Sequence, residues 1–178
     1  MVAHIDVFKS WADTIRQDTD AFKSVLESSA DTRSKRLAAA ALSYLVSRMD
    51  LIPDWNEGIG VIDDVMVLRV CAALTQDHDR GSLPTAAEAS LERMANQSEK
   101  ISAFLGGAIY DKLKAYCAKI GETPVRGITV AQLLEEDSAR KSLYTALKDE
   151  LEKTVPIVIN DPTDAELRLK AYLTHKLQ

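Results

Sequence analysis

The stretch that decides the fold of this chain is residues 37–74, which read LAAAALSYLVSRMDLIPDWNEGIGVIDDVMVLRVCAAL. Two segments that are apolar on nearly every side, 37–46 and 65–74, flank a polar loop. Helices of this composition are normally buried, because no face suits water. Pro53 prevents the first helix from continuing through the loop. The stretch therefore predicts a tight, buried helical hairpin.

The loop of this hairpin is strongly acidic. It contains no Lys or Arg between Met49 and Leu68, and its five acidic residues are Asp50, Asp54, Glu57, Asp63 and Asp64. The whole chain has 22 Lys+Arg and 27 Asp+Glu, a net charge of −5. Removing the five acids would leave equal numbers of each sign, so the net charge of the chain is concentrated in this loop.

The aspartates of the loop fit two interpretations. Carboxylates that converge in one loop are the ligands that a hard cation such as Mg²⁺ or Ca²⁺ requires, although their spacing fits no EF-hand. The metal ligands would be Asp50, Asp54, Asp63 and Asp64. In the structural interpretation, Asp50 and Asp54 accept turn N–H bonds, Asp63 caps the next helix, and Asp64 meets its positive end.

A third interpretation makes the loop an acidic docking surface, with Trp55 and Glu57 as interaction candidates. Trp55 either packs back onto the hairpin or is an exposed anchor for a partner. No catalytic residue is assigned, because neither cysteine has a nearby His or a CxxC partner, and no two histidines have metal-ligand spacing. These residues favour a protein that is not an enzyme, without deciding the question.

Apolar spacing predicts helices along the rest of the chain. The first, 4–17, is interrupted at 18–20, where Asp18 or Thr19 starts a second helix that continues through Leu26. The hairpin helices cover 32–49 and 64–76. Further helices are predicted over 85–120, with a kink or close packing at 106–107, then 130–134, 138–154 and 162–177. Residues 155–159 form an extended strap. Capping boxes start at Thr85 and Thr129.

These elements predict an all-α, orthogonal bundle of about seven helices around the hairpin. Residues 1–78 would hold the N-terminal helices and the hairpin, and 79–178 a helical extension packed on them, as one compact unit. A pI near 5.2 without a basic block argues against nucleic acid as a partner. The longest apolar runs are about ten residues, about half a membrane span. No signal peptide is visible, so the chain is expected in the cytoplasm. Its partner is expected to be a protein, and association with a membrane is not expected.

Three segments of the hairpin, 41–45, 49–54 and 60–68, resemble the YkvA family, whose core is similar to LxYLxSPxDLIPDxxPxxGxxDDxxVL. That is a bacterial family of small helical domains of unknown function. Arg48-Met49 and Glu57 depart from its Ser-Pro entry and its second proline. The resemblance implies a helical hairpin and a bacterial origin, and no activity. The function predicted is a non-enzymatic interaction or scaffold module. The alternative is a protein that binds a divalent metal ion, with or without hydrolytic activity. The sequence does not determine the oligomeric state.

Overall fold

The computed structural model describes residues 2–47, 51–53, 56, 58–153 and 156–178. Within these residues the chain contains nine α-helices and no β-strand. The helices are α1 (His4–Ser10), α2 (Ile15–Glu27), α3 (Thr32–Val46), α4 (Ile62–Thr75), α5 (Thr85–Leu105), α6 (Gly107–Lys119), α7 (Val130–Glu135), α8 (Asp137–Glu152) and α9 (Pro162–Lys176). Short 3-10 turns cover Trp11–Thr14 and Ile120–Glu122. The predicted all-α bundle is confirmed.

The predicted hairpin is the centre of this bundle. Every residue of α3 from Leu37 to Val46 is buried, and α4 is buried along nearly its whole length. Six side chains of the two apolar segments show this burial: Leu42 0%, Leu45 9%, Val46 3%, Val67 0%, Leu68 0% and Cys71 0% exposed. Helix α4 packs against α3, α5 and α6, while α3 also contacts α7 and α8. Both halves of the chain therefore contribute to one hydrophobic core.

The helix count exceeds the prediction because the helix predicted over 85–120 is divided, and the predicted N-terminal break lies at a different position. The N-terminal helix breaks at Trp11–Thr14, and the predicted start at Asp18 or Thr19 is wrong. Both residues lie inside α2 and are buried, and the Thr19 hydroxyl donates to the carbonyl of Ile15. The second break is at Gly106, whose φ of 84° suits a residue without a Cβ. Gly106 therefore separates α5 from α6.

The helix ends follow local hydrogen bonding. Asp31 caps α3 by accepting from the backbone N–H of Ser34, and the capping box at Thr129 is present. The capping box predicted at Thr85 is wrong, because α5 already includes Thr85 and begins after Pro84. Glu88, its other member, instead forms an ion pair with Arg80.

The α3 helix ends earlier than predicted. It was expected to reach Met49, but Ser47 already has extended backbone angles. Met49 itself lies outside the described residues. The backbone N–H of Ser47 donates to the carbonyl of Tyr44 at 3.1 Å, so the chain leaves the helix directly after Val46.

The C-terminal segments cover the core. Residues 156–159 have no regular secondary structure, and Ile157 and Ile159 pack against the core, as expected of a strap; Val155 lies outside the described residues. Helix α9 buries Leu169 and Leu173, whereas Leu167 of the same helix is 67% exposed. Across the described segments, no helix has the length and hydropathy required to cross a bilayer.

Candidate functional site

The structure describes two of the six candidate residues. Asp63 and Asp64 lie in the first turn of α4. Asp50, Asp54, Trp55 and Glu57 lie outside the described residues, so the interpretations that depend on them stay predictions. Asp63 is completely buried, while Asp64 is half-buried and lines a surface groove. The two adjacent carboxylates therefore lie in different environments, Asp63 in the interior and Asp64 at the surface.

Asp63 is held at the closed end of the hairpin by Tyr44. The Tyr44 hydroxyl, near the end of α3, donates to Asp63 Oδ2 at 2.5 Å. The backbone N–H of Ile52 donates to the same oxygen at 3.3 Å, and the N–H of Leu51 donates to the Tyr44 hydroxyl at 2.8 Å. One tyrosine and one carboxylate thus join both helices to the start of the loop.

The prediction that Asp63 is the N-cap of α4 was wrong. The helix begins at Ile62 and its N-cap is Val61, so Asp63 lies inside the first turn. Its carboxylate still lies near the positive end of the helix dipole, but its bonds go to Tyr44 and Ile52. Its role in the structure is to connect α4 to α3 and to the loop.

Burial determines the protonation state of Tyr44. Desolvation, followed by the negative charge of Asp63, raises the pKa of Tyr44 well above its ordinary value. The phenol therefore stays neutral at physiological pH and serves as a donor to the carboxylate. A neutral, fully engaged tyrosine is a structural group and no general base.

The second half of the loop is a series of turns that bury apolar side chains. The backbone N–H groups of Ile59 and Gly60 both donate to the carbonyl of Asn56. Gly58 has φ of 83°, and a Cβ there would lie 2.9 Å from the carbonyl oxygen of Val158. Gly60, in the same loop, does not have a positive φ. The loop is thus packed against the C-terminal strap.

The metal hypothesis depends on residues outside the described part. Among the residues that the structure describes, no group of three His, Cys, Asp or Glu side chains is placed to hold a metal ion. Asp63 Oδ2 already accepts two hydrogen bonds from within the protein. A Mg²⁺ or Ca²⁺ site formed by Asp50, Asp54, Asp63 and Asp64 stays a prediction.

A surface groove runs along α1, the end of α3, the start of α4 and the end of α8. Its cavity volume is about 980 Å³. The apolar side chains lining it include Leu45, Val46, Val65, Leu151 and Ile157. Its charged residues are Asp6, Asp13, Asp64 and Glu150, with Lys9 and Lys153. We call this feature the acidic groove, because its carboxylates outnumber its cations.

Sequence reasoning missed a buried ionic cluster between α2, α4 and α5. Arg69 and Asp18 both have 0% side-chain exposure, and Arg69 Nη1 lies 3.2 Å from Asp18 Oδ2. Arg93, 31% exposed, donates to Asp18 Oδ1 at 2.5 Å. Arg69 also stacks on Trp11, with its guanidinium carbon 4.6 Å from the ring centroid, and donates to Gln97. A single arginine in an otherwise apolar helix was the available signal, since a buried charge requires a partner.

Burial affects Arg69 despite its partners. Desolvation lowers the pKa of Arg69 to about 10, while the charge of Asp18 acts in the opposite direction. The guanidinium therefore remains charged at neutral pH. The cluster joins three helices of the core and has no opening to a cavity described above, so we assign it a structural role.

Two cysteines that are distant in sequence also meet in the core. Cys71 of α4 and Cys117 of α6 are fully buried and are not disulfide-bonded. Burial, together with the neighbouring Cys71 sulfur, raises the pKa of the Cys117 thiol. This thiol is therefore a poor nucleophile at neutral pH.

Comparison with known proteins finds a family model that is similar to the hairpin region alone. Residues 34–69 match the family described as a protein of unknown function, DUF1232. This range contains most of α3, the acidic loop and the first half of α4. No curated protein and no solved structure matches the chain. The similarity to known proteins thus covers the Tyr44–Asp63 pair and its loop, and names no activity.

Proposed function

We propose that this protein is a non-enzymatic interaction module whose acidic groove holds a basic, amphipathic segment of a partner protein. The observation that carries the proposal is the composition of the groove: an apolar floor bordered by four carboxylates and two lysines. An amphipathic helix presents the complementary pattern, with apolar side chains on one face and cations beside them. Its cavity volume of about 980 Å³ lies at the upper end of the range of roughly 300–1,000 Å³ for binding pockets.

The charge of the chain supports a basic partner. The groove includes Asp64, next to the loop in which the net charge of −5 is concentrated. Complementary charge accelerates association and disfavours acidic competitors. The buried Tyr44 and Asp63 pair with each other, as do Asp18 and Arg69, which favours binding over catalysis. In this proposal the chain is a YkvA-like protein of bacterial origin, as the resemblance of the loop motif implies, and it acts in the cytoplasm.

A matched pair of peptides tests the proposal. One synthetic helix carries leucines at positions i, i+3, i+4 and i+7 with flanking lysines, and the other replaces each lysine by glutamate. Fluorescence anisotropy should show saturable binding of the lysine peptide that weakens with salt, and much weaker binding of the glutamate peptide. Equal binding of both peptides would contradict the role of the carboxylates.

Two variants with the same change in charge locate the site. Asp6 and Asp13 are exposed residues of the groove, so Asp6→Lys with Asp13→Lys should weaken binding of the lysine peptide. The control, Glu92→Lys with Glu99→Lys, changes the net charge equally on the exposed side of α5. If the control weakens binding as much as the groove variant, the peptide responds to overall charge and the groove is not its site.

A further inference from the structure

A second, smaller cavity differs in charge from the rest of the molecule. It has a volume of about 590 Å³ and lies between the end of α3, the end of α6 and the turn that follows. Among its described lining residues are two cations, Lys119 and Arg126, and no carboxylate. In a chain with a net charge of −5, a cavity lined by positive charge alone is unusual. We call it the cationic pocket.

The other walls of the cationic pocket are aromatic and apolar. The rings of Tyr44 and Tyr116 meet edge to face, with centroids 6.4 Å apart. Val46 and Ile120 add aliphatic surface. Pockets for small molecules combine such walls with a few convergent polar groups. The walls suit a flat apolar body, and the cations suit a negatively charged group at its end.

Arg126 is placed at this pocket by an unfavourable backbone conformation. Its φ is 51°, and it is the one non-glycine residue with positive φ in the described chain. Arg126 and Gly127 form the centre of a tight turn closed by mutual hydrogen bonds between Val125 and Ile128. Such turns favour Asn-Gly, so the turn itself does not explain an arginine. Residues held in disfavoured conformations are concentrated at functional sites.

The guanidinium of Arg126 is available to a ligand. Its contacts, with the carbonyl of Val46 and with Glu150, are both 3.4 Å, which is long for a hydrogen bond. Its side chain is 49% exposed. A planar guanidinium binds carboxylate or phosphate through two parallel hydrogen bonds, which are shorter and stronger than the present contacts. An anion that enters the pocket would therefore gain donors without breaking a strong internal pair.

From these observations we propose that the cationic pocket binds a small organic anion, with its carboxylate or phosphate on Arg126 and Lys119 and its flat apolar body against Tyr44 and Tyr116. This pocket differs from the acidic groove in the sign of its charge and in the ligand proposed for it. Val46 and Ser47 line both cavities.

Four probes test the class of ligand: 2-naphthoate, 2-naphthyl phosphate, the neutral 2-naphthamide and inorganic phosphate. Titration calorimetry on the full chain should show saturable binding of at least one naphthyl anion. The amide lacks the negative charge and inorganic phosphate lacks the apolar body, so each should bind at least about tenfold more weakly. No binding of either naphthyl anion at millimolar concentration would overturn the proposal, and so would equal binding of the amide.

Arg126→Asn separates the pocket from the stability of the turn. Asparagine suits positive φ better than arginine, so this variant should melt at or above the wild-type temperature while binding the anion about tenfold more weakly. Lys119→Gln should also weaken binding. The control, Arg33→Gln with Lys100→Gln, removes two exposed cations outside the pocket and should bind as wild type does. Wild-type affinity in Arg126→Asn would overturn the proposed site.

Discussion

At the scale of single residues, Tyr44 shows how the hairpin and its loop are joined. Its hydroxyl donates to a buried carboxylate and accepts from a loop N–H, so one atom of α3 satisfies one group of α4 and one of the loop. A buried polar group left without a partner costs about 1–3 kcal/mol. The acidic loop therefore depends on an aromatic residue outside the loop.

Tyr44→Phe tests this dependence and its pH response. At pH 7 the change should lower the free energy of unfolding by about 1–3 kcal/mol, because Asp63 and the N–H of Leu51 each lose a partner. The pKa of Tyr44 is raised in the folded protein, so its contribution is present below pH 10 and is lost as pH rises further. The difference between wild type and variant should shrink by about 1 kcal/mol between pH 10 and 11, because the unfolded-state tyrosine ionises over this range while the folded one does not. Urea unfolding of both proteins at pH 7, 10 and 11 measures this difference in stability. A difference that stays constant with pH would refute the assignment of a neutral Tyr44 in the folded protein.

Asp18 provides a second prediction at this scale. Asp18→Ala leaves Arg69 charged and buried, so it should cost about 3–5 kcal/mol. Asp20→Ala, on the same helix but with a carboxylate that is 75% exposed, is the control and should change stability by at most about 0.5 kcal/mol. Thermal unfolding of both variants compares them. A loss below about 1 kcal/mol for Asp18→Ala would mean that Arg69 reaches solvent.

At the scale of elements, the loop is fixed by backbone conformation as well as by side chains. Gly58→Ala would combine positive φ with a contact of 2.9 Å to the strap. We expect a loss of about 1–2 kcal/mol or more. Gly107→Ala is the matched control, because nothing lies within 4 Å of a Cβ there and the residue is helical. It should stabilise by about 0.4–1 kcal/mol. Equal melting temperatures for the two variants would contradict the close contact between loop and strap.

The elements also show what the sequence predicts and what it does not. The hairpin could be predicted because two wholly apolar segments flank Pro53, a pattern with few other solutions. The break at Trp11–Thr14 could not, because Trp11 and Asp18 are positioned by Arg69, which is distant in the chain. Asp63 was assigned to a cap from its position before an apolar run, and its partner, Tyr44, became visible only when α3 and α4 were packed. Local signals thus predict the helices, and long-range pairs determine the roles of their polar residues.

At the scale of the whole molecule, the C-terminal half and the hairpin share one core, since α8 packs on α3. We predict that they unfold together. Leu147 of α8 is fully buried, so Leu147→Ala should cost about 2–5 kcal/mol. Hydrogen exchange should show equal losses of protection in α3 and α8. Leu167→Ala, at a site 67% exposed, is the control and should have almost no effect. Protection lost in α8 but kept in α3 would mean that residues 79–178 unfold as a separate unit.

The enclosed charge pair of Asp18 and Arg69 has a consequence for how this protein can change over generations. Losing Asp18 alone leaves the Arg69 guanidinium without its ionic partner inside the core, and losing Arg69 alone leaves Asp18 with only the partly exposed Arg93 as a cation. Replacing a buried ion pair with apolar residues of similar volume is, in contrast, often neutral or stabilising. A variant that has lost only one of the two residues is therefore destabilised, and selection rarely retains it. Among descendants of a common ancestor, these two positions should keep their charges together or lose them together, even while the surface around them drifts freely.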